Sequence, residues 1–343
     1  MGFLSGLCFS LEKRGRSTGG REEEADDGGE PLELFYELRA LQEATNFFSE
    51  SNLLSRGGFS LIYKGLMPNG QEVAVKKFPL ISDQGLIEFT NEVKLLLKAQ
   101  QKNLVALLGC CAEGYEMILV HEYLPNGSLE DILFEKIAHL DWPKRFQIIT
   151  GVARGLLYLH EEAPQRIIHG DIKARNILLD EQLNPKIANL GMARFLHWTD
   201  PYGYMAPKYL MHRNLSVKTD VFNFGVLVLE IISGERIYDW HGRGETDFLS
   251  YAWMLFQGGR SLDLVDPSLD EWDFGEVAMC IQLGLLCCQG SAEERPDMSC
   301  VHLMLSSDSS TLPIPGKPSG VSGGIVNDND ENSFSFSSIY EGR

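Results

Sequence analysis

His169-Gly170-Asp171-Ile172-Lys173-Ala174-Arg175-Asn176, followed directly by Ile177-Leu178-Leu179-Asp180, is the stretch whose reading decides the fold. It matches the pattern H-R-D-x-x-x-x-N with one departure, Gly170 where the arginine belongs. Its companions follow in order. Asn189-Leu190-Gly191 stands where D-F-G belongs, and Ala206-Pro207-Lys208 where A-P-E belongs. Beyond them lie Asp220 in KTDVFNFGV and Arg295 in ERPDM. Chance agreement at this spacing, behind a strand lysine at position 76, is negligible.

Upstream of that stretch the run VAVK (73–76) alternates faces as a strand does, so Ala74 and Lys76 share one face and Val73 and Val75 the other. A lone strand lysine is usually just solvated. A lysine beside a small residue, after the turn Pro68-Asn69-Gly70, is what a nucleotide cleft needs. In EFTNEVKLLLKAQ the spacing predicts a helix from about Leu86 to Ala99, with Phe89, Val93, Leu96 and Leu97 as its buried stripe and Glu92 beside it. Taken alone, Glu92 reads as a surface glutamate.

The texture of the chain agrees. Residues 50–124 give short β-like runs and one helix, and after Pro125-Asn126-Gly127 the pattern turns mainly helical, as in RFQIITGVARGLLYLH and DVFNFGVLVLEIISG. The 343 residues carry 30 Lys plus Arg against 48 Asp plus Glu, and the net charge of -18 argues against nucleic acid as a partner. A hydrophobic content of 44% suffices for a large core. Four of the seven cysteines form the pairs Cys110-Cys111 and Cys287-Cys288 in apolar surroundings, which reads as reduced core thiols rather than a zinc site. No apolar run approaches the ~18 residues of a membrane span.

These motifs, with LQEATNFFSESNLL, YKGLMPNGQEVAVKKF, NLVALLGCC, YLPNGSL and GVARGLLYLHEEAP, resemble plant receptor-like protein kinases, above all the cysteine-rich receptor-like group, from about Phe35 to Leu312. Without ectodomain or span the chain looks like a receptor-like cytoplasmic kinase. The resemblance implies an α+β, bilobal protein-kinase fold, with a small β-rich N-lobe bearing one regulatory helix and a larger helical C-lobe. The expected layout is a tail over 1–33, an N-lobe with a lead-in helix over 34–124, a C-lobe over 125–305 and a second tail over 306–343. The resemblance assigns Asp171 the role of base for a substrate hydroxyl, Lys173 a place in the Ser/Thr-specific version of the loop, and Asn176 and Asn189 the magnesium positions. It assigns ATP to Gly57, Ile62, Ala74, Lys76, Glu92, Glu122, Leu124 and Leu178. It also implies protein partners, namely other receptor-like kinases or their substrates, and a cytoplasmic location.

Several positions depart from the family pattern. The glycine-rich loop reads Ser55-Arg56-Gly57-Gly58-Phe59-Ser60, with Gly57 alone in register, and serine tolerates a positive φ poorly. Asn189 offers magnesium a neutral carbonyl in place of a carboxylate, which should cost about two to four powers of ten in rate and leave the metal weakly held or absent. Gly170 removes a partner for a phosphorylated activation loop, and the segment Gly191 to Ala206 is short, with Thr199 its only Ser or Thr. Lys208 replaces the glutamate that would pair with Arg295, a change worth about 3 kcal/mol if that pair is buried. His121 occupies the gatekeeper position. Three readings follow: a pseudokinase that scaffolds or regulates another kinase, a slow Ser/Thr kinase, or the product of a decaying gene copy. At the N-terminus Gly2, Cys8 and the cations Lys13, Arg14 and Arg16 suggest an alternative association with the plasma membrane through lipidation and charge, against a plain disordered start.

Overall fold

The computed structural model describes residues 35–57, 60–79, 83–96, 99–135, 137–196, 216–240, 247–307 and 312–318. The expected N-terminal tail with Gly2 and Cys8, Gly58, Thr199, Ala206 to Lys208 and most of the expected C-terminal tail lie outside them. The described chain forms two compact units, each treated by itself: one holds the residues up to 96 together with 106–123, the other 99–105 and those from 124 onward.

The first unit is a single antiparallel sheet with two helices. Strands β1 (Leu53–Arg56), β2 (Leu61–Leu66), β3 (Glu72–Phe78), β4 (Leu107–Cys111) and β5 (Met117–Glu122) take the order β1-β2-β3-β5-β4. The pleat of β3 sorts its side chains as its sequence alternation requires. Val73 and Val75 join Leu41 of helix α1 (Leu38–Ala44), Cys111, Ile118 and Val120 in one buried cluster. Phe78 joins Phe89 and Val93 of helix α2 (Asp83–Leu96), Cys110, Met117 and Leu119 in a second. The doublet Cys110-Cys111 is thereby explained: neighbours on a strand face opposite ways, and each free thiol fills a different cluster. Helix α2 begins at Asp83, three residues before the expected start at Leu86.

Between α1 and β1 the backbone turns left-handed at three successive residues, Asn46, Phe47 and Phe48, with φ of 50°, 56° and 55°. Thr45 holds the turn. Its hydroxyl donates to Leu41 O at 2.7 Å and accepts from Phe48 N at 3.1 Å, and its carbonyl accepts from Asn52 Nδ2 at 3.0 Å. Phe48 stands edge-on to Tyr63 of β2, with centroids 5.5 Å apart.

The second unit is mainly helical: α3 (Leu129–Leu133), α4 (Trp142–Leu157), α5 (Val217–Ser233), α6 (Phe248–Gln257), α7 (Phe274–Cys287) and α8 (Met298–Ser306). Two small ladders accompany them, β6 (Arg166–Ile168) with β9 (Arg194–Leu196), and β7 (Ile177–Leu179) with β8 (Pro185–Ile187). Helices α5 and α7 approach closely because Gly225 has no side chain; a Cβ there would stand 2.7 Å from Gly284 O and 2.6 Å from Cys287 Cβ. A single cut at 124 does not describe the division of the chain. Residues 99–105 belong with the helical unit because Val105 N donates to Ile187 O (3.0 Å), Ile187 N to Asn103 O (2.8 Å) and Asn103 Nδ2 to Pro185 O (3.0 Å). Residues 312–318, inside the stretch read as a tail, lie along α7 and the turn after it: Gln282 Nε2 donates to Pro313 O at 2.7 Å, and Gly316 N to Gln289 Oε1 at 2.6 Å. No helix of the described residues is long and apolar enough to cross a membrane.

Candidate catalytic and nucleotide-binding residues

In the sheet unit, β3 delivers Lys76 and α2 delivers Glu92. Lys76 Nζ lies 2.7 Å from Glu92 Oε2, and both side chains are almost wholly buried. Glu92 therefore is no surface glutamate. Burial alone would push its carboxyl up, but the Lys76 ammonium, with His121, holds it down at about 2. His121 of β5 is the second cation-forming neighbour: its Nε2 stands 3.3 Å from Glu92 Oε1, close enough for an ionic contact. The approach lacks hydrogen-bond geometry, so neither ring nitrogen has a hydrogen-bond partner among the described residues. Ile62 pairs directly opposite Lys76, and Ala74 opposite His121, so both flank the ion pair on the sheet. Glu122, at the end of β5, accepts from Ala106 N at 2.7 Å and donates its own N–H to Ala106 O at 3.1 Å, a two-way bond to the residue just before β4.

The glycine-rich loop differs from expectation. Neither Ser55 nor Ser60 has a positive φ: Ser55 is an ordinary residue of β1 opposite Ile62. The backbone strain expected of serine at these positions does not arise. Gly57 keeps a real constraint, because its N–H donates to Ser60 O at 2.8 Å and an added Cβ would press on Ser60 at 3.3 Å.

In the helical unit the loop 169–176 is held from below by Asp220 of α5, which is fully buried. Its Oδ2 accepts from His169 N at 2.7 Å and its Oδ1 from Gly170 N at 2.7 Å. Helix α4 ends in a π turn, Tyr158–Glu162, that presents His160 Nε2 to the same Oδ2 at 2.9 Å. His169 fixes the next step. Its Nδ1 lies 3.1 Å from Asp171 N and must accept, so Nε2 carries the proton and donates to Ala188 O at 2.9 Å. Ala188 N in turn donates to Asn176 O at 2.8 Å. Asp171, Lys173 and Asn176 come together: Lys173 Nζ is 3.0 Å from Asp171 Oδ1, and Asn176 Nδ2 donates to Asp171 Oδ2 at 2.8 Å. Leu178 follows on β7 opposite Lys186, half-buried, and Leu124 is buried in this same unit.

Gly170 adopts φ 78°, a left-handed conformation that glycine takes without strain and arginine does not. Asn189 also sits left-handed, at φ 66° and ψ 52°, which asparagine and aspartate tolerate best among residues with a side chain. Leu190 behind it is 1% exposed and serves as an apolar plug. The positions the family pattern gives to magnesium are Asn176 and Asn189, each of which would offer it an amide carbonyl oxygen. Asn176 spends its NH2 group on Asp171, which leaves Oδ1 to face a ligand. The donor set is oxygen throughout and fits a hard cation, with one carboxylate fewer than the family pattern supplies. Arg295 commits its guanidinium to carbonyls, Nε to Gln289 O at 2.8 Å and Nη1 to Lys218 O at 3.0 Å, whereas its expected contact with Lys208 lies outside the described residues.

A family model described as protein tyrosine and serine/threonine kinase matches residues 48–305. The chain belongs to the protein kinase family. Among its relatives, the kinase domain is similar to cysteine-rich receptor-like protein kinase 10 of Arabidopsis thaliana, 47% identical over 333 residues, which covers 92% of this chain and 50% of that protein. Cysteine-rich receptor-like protein kinase 29 of the same plant is 47% identical over 310 residues, covering 85% and 46%. The G-type lectin S-receptor-like serine/threonine-protein kinase B120, also from Arabidopsis thaliana, is 48% identical over 296 residues, covering 82% and 35%. The chain thus spans about half the length, or less, of these relatives. His160 and the Ala188 clamp were not singled out from the sequence. Nothing in the helical pattern YLHEE distinguishes a histidine that braces Asp220 from one that faces solvent.

Proposed function

We propose that this kinase-family chain binds ATP but transfers phosphate poorly, and acts in signalling as a pseudokinase that scaffolds or regulates another receptor-like kinase. The observation that carries the reading is the pairing of a closed, buried Lys76–Glu92 contact at 2.7 Å with an asparagine at position 189. The first keeps the ammonium that would meet nucleotide phosphates in place. The second gives magnesium a neutral ligand, so the metal is held weakly or not at all. In the sheet unit we assign Lys76, Ile62 and Ala74 to nucleotide; in the helical unit we assign Asn176 and Asn189 to metal and Asp171 to the substrate hydroxyl.

A second reading has its own support: Asp171 sits between Lys173 and Asn176 in an intact loop, an arrangement suited to a slow Ser/Thr kinase. A thermal-shift titration with ATP, with and without magnesium, separates the two. A ligand that binds the folded chain raises its melting temperature. Stabilisation that needs no magnesium and vanishes in Lys76→Met supports the proposal. Magnesium-dependent stabilisation, together with phosphorylation of a generic protein substrate that Asp171→Asn abolishes, favours the slow kinase. The absence of any stabilisation sinks the ATP-binding reading. The partner is expected to be another receptor-like kinase or its protein substrate, with the plasma membrane as an alternative location through the N-terminal cations.

A further inference from the structure

We propose that Glu130, Arg236 and Glu230 form a positioning relay that sets how firmly Arg175, and with it the loop bearing Asp171 and Asn176, is held. Arg175 belongs to the short turn Ala174–Asn176, directly before the amide that braces Asp171. Its Nε lies 2.8 Å from Glu130 Oε2 on α3. The other oxygen of that carboxylate is taken: Arg236 Nη2 lies 3.1 Å from Glu130 Oε1. One carboxylate is therefore divided between two guanidiniums, one from the catalytic loop and one from the turn after α5.

Arg236 is itself divided. Its Nη1 lies 3.1 Å from Asp239, its plane covers Phe134 at 5.0 Å, and its Nε is buried with no hydrogen-bond partner among the described residues. Next to it, buried in α5, is Glu230, whose Oε1 accepts from Ile237 N at 2.9 Å. The charged groups facing Glu230 are Arg236 from its own turn and Glu130 from α3. From α4, Arg145 reaches the neighbouring Ile231 carbonyl and is committed to Asp266 at 2.6 Å. Gly284 and Cys287 of α7, with Cys288 just after it, pack against Gly225 of α5 and carry no charge.

Burial pushes the Glu230 carboxyl up to about 7, against the pull of Ile237 N–H and Arg236, with Glu130 adding to the push. Its charge thus changes near neutrality. When the proton leaves, a new anion appears beside a guanidinium that has an unspent donor. Arg236 turns toward it and vacates Glu130 Oε1, and Glu130 is left to Arg175 alone. The loop tether tightens as Glu230 ionises.

The inference rests on reading 169–176 as the catalytic loop, but its test needs neither nucleotide nor activity. In the full chain, the Nε–Hε resonance of Arg175, assigned by its loss in Arg175→Lys, is followed from pH 5 to 8.5. It is expected to shift with a midpoint near 7 in the wild type, to stay flat in Glu230→Gln, and to lose its shift in Glu130→Gln. Glu230→Gln keeps an oxygen for Ile237 N–H, so it is expected to fold, and a far-ultraviolet spectrum checks that. A flat Arg175 signal in the wild type overturns the relay, and so does a titration that persists unchanged in Glu230→Gln. A failed ATP titration beside a titrating Arg175 would leave the relay standing and remove only the nucleotide reading.

Discussion

Glu92 and Gly170 show how single residues carry the two halves of the kinase-family machinery. The Glu92 carboxyl is held at about 2, below its ordinary value of 4.5, so the folded state gives up its proton more readily than the unfolded one. The sign follows. The stabilisation is complete above pH 4.5 and is lost as the pH falls toward 2. Glu92→Gln is expected to cost about 3 kcal/mol at pH 7, because it leaves the Lys76 ammonium buried without its counter-ion. In urea unfolding the gap between wild type and variant should narrow steadily below pH 4.5; a gap independent of pH would contradict the ionic account. Gly170→Arg is a sharper case. It restores the family's letter at a backbone of φ 78°, so it should destabilise by about 1–2 kcal/mol while adding no activity. Equilibrium unfolding of that variant checks it, and a neutral or stabilising result would show that the loop relaxes to accept the side chain.

At the scale of elements, the left-handed turn after α1 is the least expected feature. Three non-glycine residues with φ between 50° and 56° store strain of about 1–2 kcal/mol each, offset by the Thr45 hydrogen bonds and by Phe48 on Tyr63. Phe47 is 70% exposed and contributes little packing, so Phe47→Gly should stabilise the chain by about 1 kcal/mol. A rise in melting temperature measures this, and a fall would mean that the exposed ring has a partner. This turn was not legible in LQEATNFFSESNLL: Asn46 is a residue that tolerates positive φ, but nothing marks Phe47 and Phe48 as following it there. By contrast β3 was legible residue by residue: the alternation of Val73, Ala74, Val75 and Lys76 is a local property of the strand, and the sheet obeys it. The helix α2 stripe was half legible. Phe89 and Val93 are buried as read, but the spacing gave no hint that Glu92 lies at 2% exposure or that Leu95 is buried beside it. Those facts depend on what α2 meets, and its own periodicity cannot supply them.

For the molecule as a whole, the sequence carried the family and the order of the motifs, since H-x-D-x-K-x-x-N is a spacing within one loop. It did not carry the contacts that span long separations. His160 meets Asp220 across 60 positions, and Asn103 meets Pro185 across 82, and no spacing rule reaches that far. The same holds for residues 312–318, whose composition reads as tail although they bond to Gln282 and Gln289. Ending the chain after Ser307 should therefore lower the melting temperature by a few degrees, since hydrogen bonds worth about 1 kcal/mol each are removed. An unchanged melting temperature would mean that water replaces them without loss. Asp220 grips the loop through the main-chain N–H groups of His169 and Gly170. A grip on main-chain atoms needs no side chain at position 170, and the φ of 78° there favours glycine over any other residue. Mutational drift can therefore erase that side chain in a lineage and leave the curve of the loop uncorrected by selection, because the anchor never sees the loss.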